Sequence, residues 1–534
     1  MSTCLSRFGV LVIGAAVFAC ALPSVAAATD YCVGQNTSCA PANHRDKFQN
    51  ALDGAAATPD ADRILLGAET YTAGTVAGYV YNAPSPVEII GAGVGKSVLT
   101  GQTGVDSVLS MSGGAGSAVS DLTVRLPQDV GFGLITDNTA RRIEVIEAAA
   151  LPASQASAGV YLDNGATLED STVTLTQVPT GVFIANGHVS RSTVTTAGDS
   201  AIKVINGSIE RSRVKGFTGV EAYGGVSSIV SSQIIGGENY GIWVGSYAGV
   251  ARTIVNAENV TILGGDAGTG AYATTGLDTG WSAELHLSNS LVRGFPSSLR
   301  ASAPGTGEAK VVASYSDYAP PSAGAATGAK AAIEATNITN VGDAGFANAA
   351  GGDFHLLAGS PLVDAGDPAT AHGLDLDAHP LVTDGNGDGI ARRDIGAFEA
   401  PAVPAAGKPG GSTGADTKAP LITGFRATPA LFAIGRASTP RAARAHRGTR
   451  FRYVLSERAR VSLRIQRRLH GRRARYRTVA KLTRSGRAGV NLTRFTGRIG
   501  RRALRPGRYR ARITAIDSAG NRSAPRTTRF RVAR

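Results

Sequence analysis

The chain has 534 residues, long enough for two or three domains. Only 18% are charged and 43% are hydrophobic, which excludes a disordered polyelectrolyte; 68 glycines and few long helical patterns point to an all-β protein. The net charge of +14 is split: from Lys418 to Arg534 there are 33 Lys and Arg against Glu457 and Asp517, while the remainder holds 21 basic and 38 acidic residues, so a basic tail follows an acidic body.

Residues 1–28 read as a secretory signal. Arg7 supplies the positive start, an apolar run covers 8–19, and Ala26-Ala27-Ala28 offers a cleavage site. The run is too short to span a bilayer, and no other apolar stretch is long enough. Val17-Phe18-Ala19-Cys20 faintly resembles a lipoprotein processing site, with Phe18 bulky for that role. Cys4 and Cys20 fall in the signal. Cys32 and Cys39 remain, and in an exported chain a local disulfide is expected. Two cysteines without nearby paired histidines cannot complete a zinc site.

Next, residues 45–57 form an amphipathic segment, expected to be a helix that caps the exposed apolar end of a repeat array. DRILLGAETY from Asp62 and VEIIGAGVGKSVLTG from Val87 read as its first units. GAGVGKS is close to a phosphate loop, but that motif needs Gly where Ile90 stands, so a turn is expected. Repeats then become regular: GVYL, GVFI, AIKV, GVEA and GIWV begin at Gly159, Gly181, Ala201, Gly219 and Gly241. Nearly in step run LEDSTV, VSRSTV, IERSRV, IVSSQI and LSNSLV. A period of about 20 residues with alternating Val, Ile and Thr, and Gly or Asn at corners, is that of a solenoid of β-coils.

Alternation places side chains. Val160 and Leu162 point inward, so Tyr161 points outward, and the same offset gives a row of Tyr161, Phe183, Lys203, Glu221, Trp243 and Tyr272. Rungs about 4.8 Å apart make an exposed aromatic ladder, interrupted by one base and one acid. Aromatic faces suit sugar C–H surfaces and Lys203 suits a uronate or sulfate. Outward aromatics also favour strand pairing alone. Ser171, Ser192, Ser212, Ser232 and Ser290 occur once per coil. A catalytic serine would be unique, so these are expected to satisfy corner backbone groups.

Residues 294–340 are Ala-, Gly-, Ser- and Pro-rich and irregular, so the solenoid region is taken as 29–342, including its cap. Residues 343–400 form a distinct closing element, DFHLLAGSPLVDAGD followed by DGNGDGIARRDIGAFE. Within it Asp384, Asn386, Asp388 and Asp394 place oxygens at spacings that suit Ca²⁺, with Asp375 and Asp377 as supplements; the alternative is an Asx/Gly turn. Residues 401–417 are a linker. Residues 418–534 hold short alternating strands of a β-sandwich, with Arg450, Arg452, Arg464, Arg508, Arg510, Arg512, Arg529 and Arg531 on its outer faces. That surface suits an anionic polymer, or else it is an inert spacer; no sequence-specific nucleic-acid motif is present.

On these residues, 62–292 resemble right-handed parallel β-helix proteins of the pectin-lyase-like superfamily. DFHLLAGSPLVDAGD…DIGAFE is similar to the closing element of bacterial members. LRPGRYRARITAIDSAGN resembles immunoglobulin-like or fibronectin-III-like modules of exported actinobacterial proteins. The fold class implied is a right-handed parallel β-helix solenoid followed by a small antiparallel β-sandwich. The resemblance is weak for activity, because the superfamily spans lyases, hydrolases, epimerases and inert adhesins. The calcium-binding carboxylates of its lyases, and the Asp pair, Gly-His-Gly and Arg-x-Lys of its hydrolases, have no counterpart here. Lys203, Glu221 and Arg213, with Arg211 and Lys215 near by, are the cluster on which catalysis would rest, as acid and base, unless they form a solvated charged face. The expected function is an exported, cell-surface or extracellular protein that binds polysaccharide along the ladder. A polysaccharide lyase or glycoside hydrolase with an unfamiliar site, and an inert surface protein, are the alternatives.

Overall fold

The computed structural model describes residues 28–148, 157–245, 251–276, 280–318, 324–328, 330–339, 341–368, 373–403, 419–433, 448–457, 459–469, 475–499, 502–517 and 521–533. The signal segment and most of the linker lie outside them. The chain divides into two compact units, residues 1–408 and 409–534.

In the first unit the described strands form three long parallel sheets, of fourteen, eleven and eleven strands, called A, B and C here. Each coil contributes one strand to each sheet in turn. In one coil, Ala158–Asp163 lies in sheet C, Thr167–Glu169 in sheet A and Thr172–Leu175 in sheet B, before Thr180–Ala185 returns to sheet C. This is a parallel β-helix. Its centre is a continuous apolar stack, with Val160, Leu162, Leu168 and Val173 of that coil fully buried.

The repeat's opening glycine has a packing cause. At Gly219 a Cβ would stand 2.4 Å from Ile234 Cγ2, and at Gly241 2.3 Å from Ile262 Cγ2. A branched side chain of sheet B fills the space at the B-to-C corner, so no Cβ fits there. The corner from A to B holds a left-handed residue in each of eight successive coils, Asp121, Arg142, Asp170, Arg191, Arg211, Ser231, Asn259 and Asn289. The first four alternate in sign, and Arg142 and Arg191 each grip the aspartate one coil below with two nitrogens.

The serine stack lies beside this corner and is structural, as expected. Ser192 Oγ accepts the Ser171 N–H at 3.1 Å, Ser212 Oγ that of Ser192 at 3.2 Å, and Ser232 Oγ that of Ser212 at 3.1 Å. Each hydroxyl also donates to a carbonyl two residues upstream. GAGVGKS forms a turn closed by the Lys96 and Ser97 N–H groups on Gly93 O.

The N-terminal cap is the helix Phe48–Ala56, which buries Phe48, Ala51, Leu52 and Ala55. Its Gln49 side chain donates to Val80 O at 2.9 Å and accepts from Val80 N at 3.0 Å, satisfying the terminal strand of sheet C. Cys32 and Cys39 form the expected disulfide, with Cα atoms 5.7 Å apart.

The closing element does not simply continue the spiral. It doubles back along the A-to-B corner and sheet B. Asn259 Nδ2 donates to Asp394 O and Gly396 O, the Gly396 N–H to Asn289 O at 2.8 Å, and Ala397 N–H to Thr261 Oγ1 at 2.9 Å. Arg393 pairs with Glu258 at 2.5 Å. A small core of Leu362, Val363, Ile395 and Ala400 closes over Leu291 of sheet B.

The second unit has a three-stranded sheet and a five-stranded sheet sharing one core. The pairings are antiparallel except for the short edge pair of Leu431–Phe432 with Arg526–Val532. Phe451 meets Phe530 at 5.7 Å and Phe432 meets Phe495 at 6.4 Å, ring centre to ring centre, across the two sheets. Tyr509 Oη donates to Arg505 O at 2.5 Å, fixing the start of Gly507–Ile516.

Candidate functional site

Sheet C carries the row expected from alternation. Tyr161 is in register with Phe183, Phe183 with Lys203, Lys203 with Glu221, Glu221 with Trp243, and Trp243 with Tyr272. The first five side chains are half-buried on the outer face. Tyr161 and Phe183 stack 5.4 Å apart at 15°, a two-ring platform, with Phe132 edge-on to Tyr161 at 5.6 Å. Trp243 lies over its own strand: a Cβ at Gly245 would fall 1.8 Å from the indole Cη2. Tyr223 braces it edge-on at 5.5 Å.

Two members differ from expectation. Tyr272 is only 8% exposed rather than outward and open. Tyr240 packs against it at 5.3 Å and the Arg300 guanidinium lies 4.9 Å from its ring centre. Lys203 is not a free cation, because its Nζ sits 3.0 Å from Asp199 and 3.6 Å from Glu221. Glu221 also accepts from Ser200 Oγ at 2.6 Å. Base and acid therefore hold each other between the two aromatic platforms.

Arg300 is the residue that sequence reasoning missed. It is the next rung after Tyr272 and is exposed. Its strand, SSLRAS, puts Ser298 where the repeat has Gly, so the repeat motif does not mark it. The available signal was the outward offset itself, carried one coil further. Among the described residues no carboxylate forms an ion pair with Arg300.

The catalytic cluster is not assembled. Arg213 lies in sheet B, in register with Thr193 and Gln233, and its guanidinium pairs with Asp377 at 2.7 Å. Lys215 shares that sheet B strand, and Arg211 occupies the left-handed corner beside Glu210. Lys203 and Arg213 are ten residues apart, and that span passes through a whole sheet A strand, Ser208–Glu210. Only Lys203 and Glu221 remain together.

Nor does the closing element gather the four expected calcium ligands. Asp384 accepts the Asp388 and Gly389 N–H groups, Asn386 Oδ1 that of Asp388, and Asp388 Oδ1 that of Ile390. These bonds make a self-closed Asx/Gly turn. Asp394 is fully buried and accepts from Asp364 N and Ala400 N, both at 2.7 Å. Asp375 is buried and takes the N–H groups of Asp377, His379 and Glu399. Among the described residues no three His, Cys, Asp or Glu side chains converge as a metal-binding set. Burial raises the pKa of both Asp394 and Glu399; the charges of Asp364 and Asp375 add to the shift at Asp394, and that of Asp394 adds to the shift at Glu399.

Asp377 turns outward instead. It accepts from Arg213 and from His355 Nε2 at 2.6 Å, while His355 Nδ1 faces Asp353 Oδ1 at 2.6 Å. Burial lowers the His355 pKa, but the two carboxylates outweigh it and the net shift is upward. This chain of charges fastens the closing element to sheet B.

The basic unit places its cations as alternation requires. Phe451, Tyr453, Leu463, Ile465, Tyr509, Ala511, Ile513 and Phe530 are buried, whereas Arg450, Arg464, Arg508, Arg512, Arg529 and Arg531 are exposed, and Arg452 and Arg510 are half-exposed.

Fold and site thus define a class, a parallel β-helix with an aromatic-charged row on one sheet, joined to a basic β-sandwich. No family model matches the chain. No curated protein matches it. Among solved structures it is similar to pectate lyase Pel9A, at 14% identity over 70% of this chain and 97% of that one, with a TM-score of 0.38. It is similar also to the A-module of Azotobacter vinelandii mannuronan C-5 epimerase AlgE6, at 12% identity over 55% and 94% of the two chains, with a TM-score of 0.35. A third is full-length tailspike protein 2 of an Escherichia coli bacteriophage, at 11% identity over 90% and 65%, with a TM-score of 0.28.

Proposed function

We propose that this is an exported protein that holds polysaccharide along the outer face of sheet C and attaches to anionic polymer through its C-terminal unit. The observation that carries the reading is the unbroken register from Tyr161 to Arg300, seven rungs spanning about 29 Å at the usual strand spacing. The Tyr161–Phe183 pair and Trp243 supply two platforms for sugar faces, and Arg300 supplies an open cation for an acidic group. Export is supported by the Cys32–Cys39 disulfide and the signal-like N-terminus. The C-terminal unit is of immunoglobulin-like kind, a reading supported by the Tyr509 hydroxyl bonded back to Arg505 O.

Aromatic contacts of this kind are worth about 0.5–1.5 kcal/mol each, so Phe183→Ala with Trp243→Ala should weaken glycan retention roughly 5- to 150-fold. Unchanged retention discards the ladder. Arg300→Gln should lose affinity for uronate-bearing chains and keep it for neutral ones. The same incubations address catalysis. New unsaturated or reducing ends that vanish in the Lys203→Ala/Glu221→Ala double variant would make the protein an enzyme.

A further inference from the structure

Both outer faces of the C-terminal sandwich are cationic, and the register shows how densely. On the three-stranded sheet Arg450 stands directly opposite Arg494, and Arg452 directly opposite Arg426. A cavity of about 720 Å³ opens on this face, lined by these four arginines with Thr428 and Thr449. On the five-stranded sheet Arg464 is flanked by Lys481 on one side and Arg512 on the other. Arg510 faces Arg529, and Arg508 faces Arg531. Directly opposed side chains are about 5 Å apart, and alternate residues along a strand about 6.7 Å, so the second face is a grid of cations.

Like charges placed directly opposite each other oppose sheet formation. Among the described residues of this unit no Asp or Glu forms an ion pair with any of these arginines. Glu457 and Asp517 are its acids from Lys418 onward: Glu457 is in the turn joining Thr449–Leu455 to Ala459–Arg468, and Asp517 accepts the Asn521 N–H beyond Gly507–Ile516. Anions supplied from outside would relieve the repulsion. Arg510 is already oriented, with Nε on Gln466 Oε1 at 2.7 Å and its guanidinium 3.8 Å from the Tyr476 ring centre.

We propose that this unit cross-links phosphodiester polymer, taking one chain on each of its two outer faces. The proposal rests on the attachment reading above and goes beyond it, since attachment needs one face and bridging needs two. The sheets pack face to face, so their outer surfaces point in opposite directions and one extended chain does not lie on both. Phosphodiesters match the donors, because guanidinium forks and hydroxyls engage phosphate oxygens at two points. The unit's described aromatic rings face its core or, for Tyr476, lie under Arg510, so neither face offers a platform for bases or sugar rings. Recognition is therefore of backbone charge.

The test uses the full chain with poly(glycerol phosphate), duplex DNA and polygalacturonate, reading equilibrium binding and light scattering together. Scattering should rise to a maximum near charge balance, fall in protein excess, and disappear when salt is raised from about 0.05 to 0.2 M. Arg450→Ser with Arg494→Ser should leave binding within about tenfold while lowering peak scattering at least tenfold, and Arg464→Ser with Arg512→Ser should do the same. These exposed replacements remove repulsion, so melting temperatures should hold or rise. All four together should weaken binding well beyond either pair alone. Glycerol phosphate and DNA are expected to behave alike; scattering with DNA alone assigns nucleic acid as the phosphodiester source. Binding without scattering, or full scattering by either one-face variant, overturns cross-linking and leaves attachment standing. Scattering with polygalacturonate alone overturns the phosphodiester assignment. Failure to bind any of the three polymers overturns the attachment reading itself.

Discussion

Replacing Ser212 by alanine should loosen one corner of the solenoid by an amount the hydrogen bonds define. Ser212 is fully buried. Its Oγ donates to Glu210 O at 2.8 Å and accepts the Ser192 N–H at 3.2 Å. Glu210 O keeps the Arg191 N–H at 3.0 Å, so that acceptor stays satisfied. The Ser192 N–H is left buried without an acceptor. Orphaning a buried donor costs about 1–3 kcal/mol, and a methyl in place of a hydroxyl opens no large cavity to add to it. Because each coil of a solenoid contacts only its neighbours, the loss should be local. Native-state hydrogen exchange at the Ser192 amide should accelerate roughly 5- to 150-fold, with amides of the first coils, such as Leu65, unchanged. Thr193→Ala, at an exposed position one residue along, should move stability by less than about 0.5 kcal/mol. An unchanged Ser192 exchange rate, or an acceleration spread evenly over the whole solenoid, would refute the claim that the stack acts coil by coil through its hydroxyls.

Three further outcomes are expected. The His355 pKa is raised in the folded state, so its ion pairs with Asp353 and Asp377 stabilise fully below about pH 6.5 and fade as pH climbs through the higher folded value. Limited proteolysis of 341–403 should be slower at pH 5.5 than at 8.5, and His355→Gln should shrink that difference without removing it, because buried Asp394 and Glu399 in the same element, with raised pKa values, also destabilise it as pH climbs. Breaking the Cys32–Cys39 disulfide, which closes a short loop, should destabilise the N-terminal cap by about 2–3 kcal/mol, read as earlier exchange of the Phe48–Ala56 amides. Gly219→Ala drives a Cβ to 2.4 Å from Ile234 Cγ2 and 2.6 Å from Gly241 O, and should cost about 1–3 kcal/mol in urea unfolding; a neutral result would show that the corner has room to spare.

Much of the solenoid was legible because its information is local and repeated. A period near 20 with strict alternation names the strands, the inward Val160 and Leu162, the outward row from Tyr161 to Trp243, and the serine stack. All of these depend only on which residue lies one coil above which. The disulfide was legible for a similar reason, since Cys32 and Cys39 are seven residues apart. The outward arginines of the sandwich follow from period two alone.

What alternation does not carry is which outward groups find one another. Stacking of the coils suggests that Arg213 joins Lys203 and Glu221, yet its partner is Asp377, 164 residues away on a segment that folds back along the spiral. The same reversal puts Arg393 on Glu258 and seats Gly396 on Asn289, contacts that no local pattern encodes. The D-x-N-x-D-G spacing suits a cation or a turn equally well, and the loop's own N–H groups, once folded, take the carboxylate oxygens. Alternation determined which side chains face outward. Only the tertiary structure decided which of them pair, because Coulomb attraction acts between groups that are near in space whatever their distance along the chain.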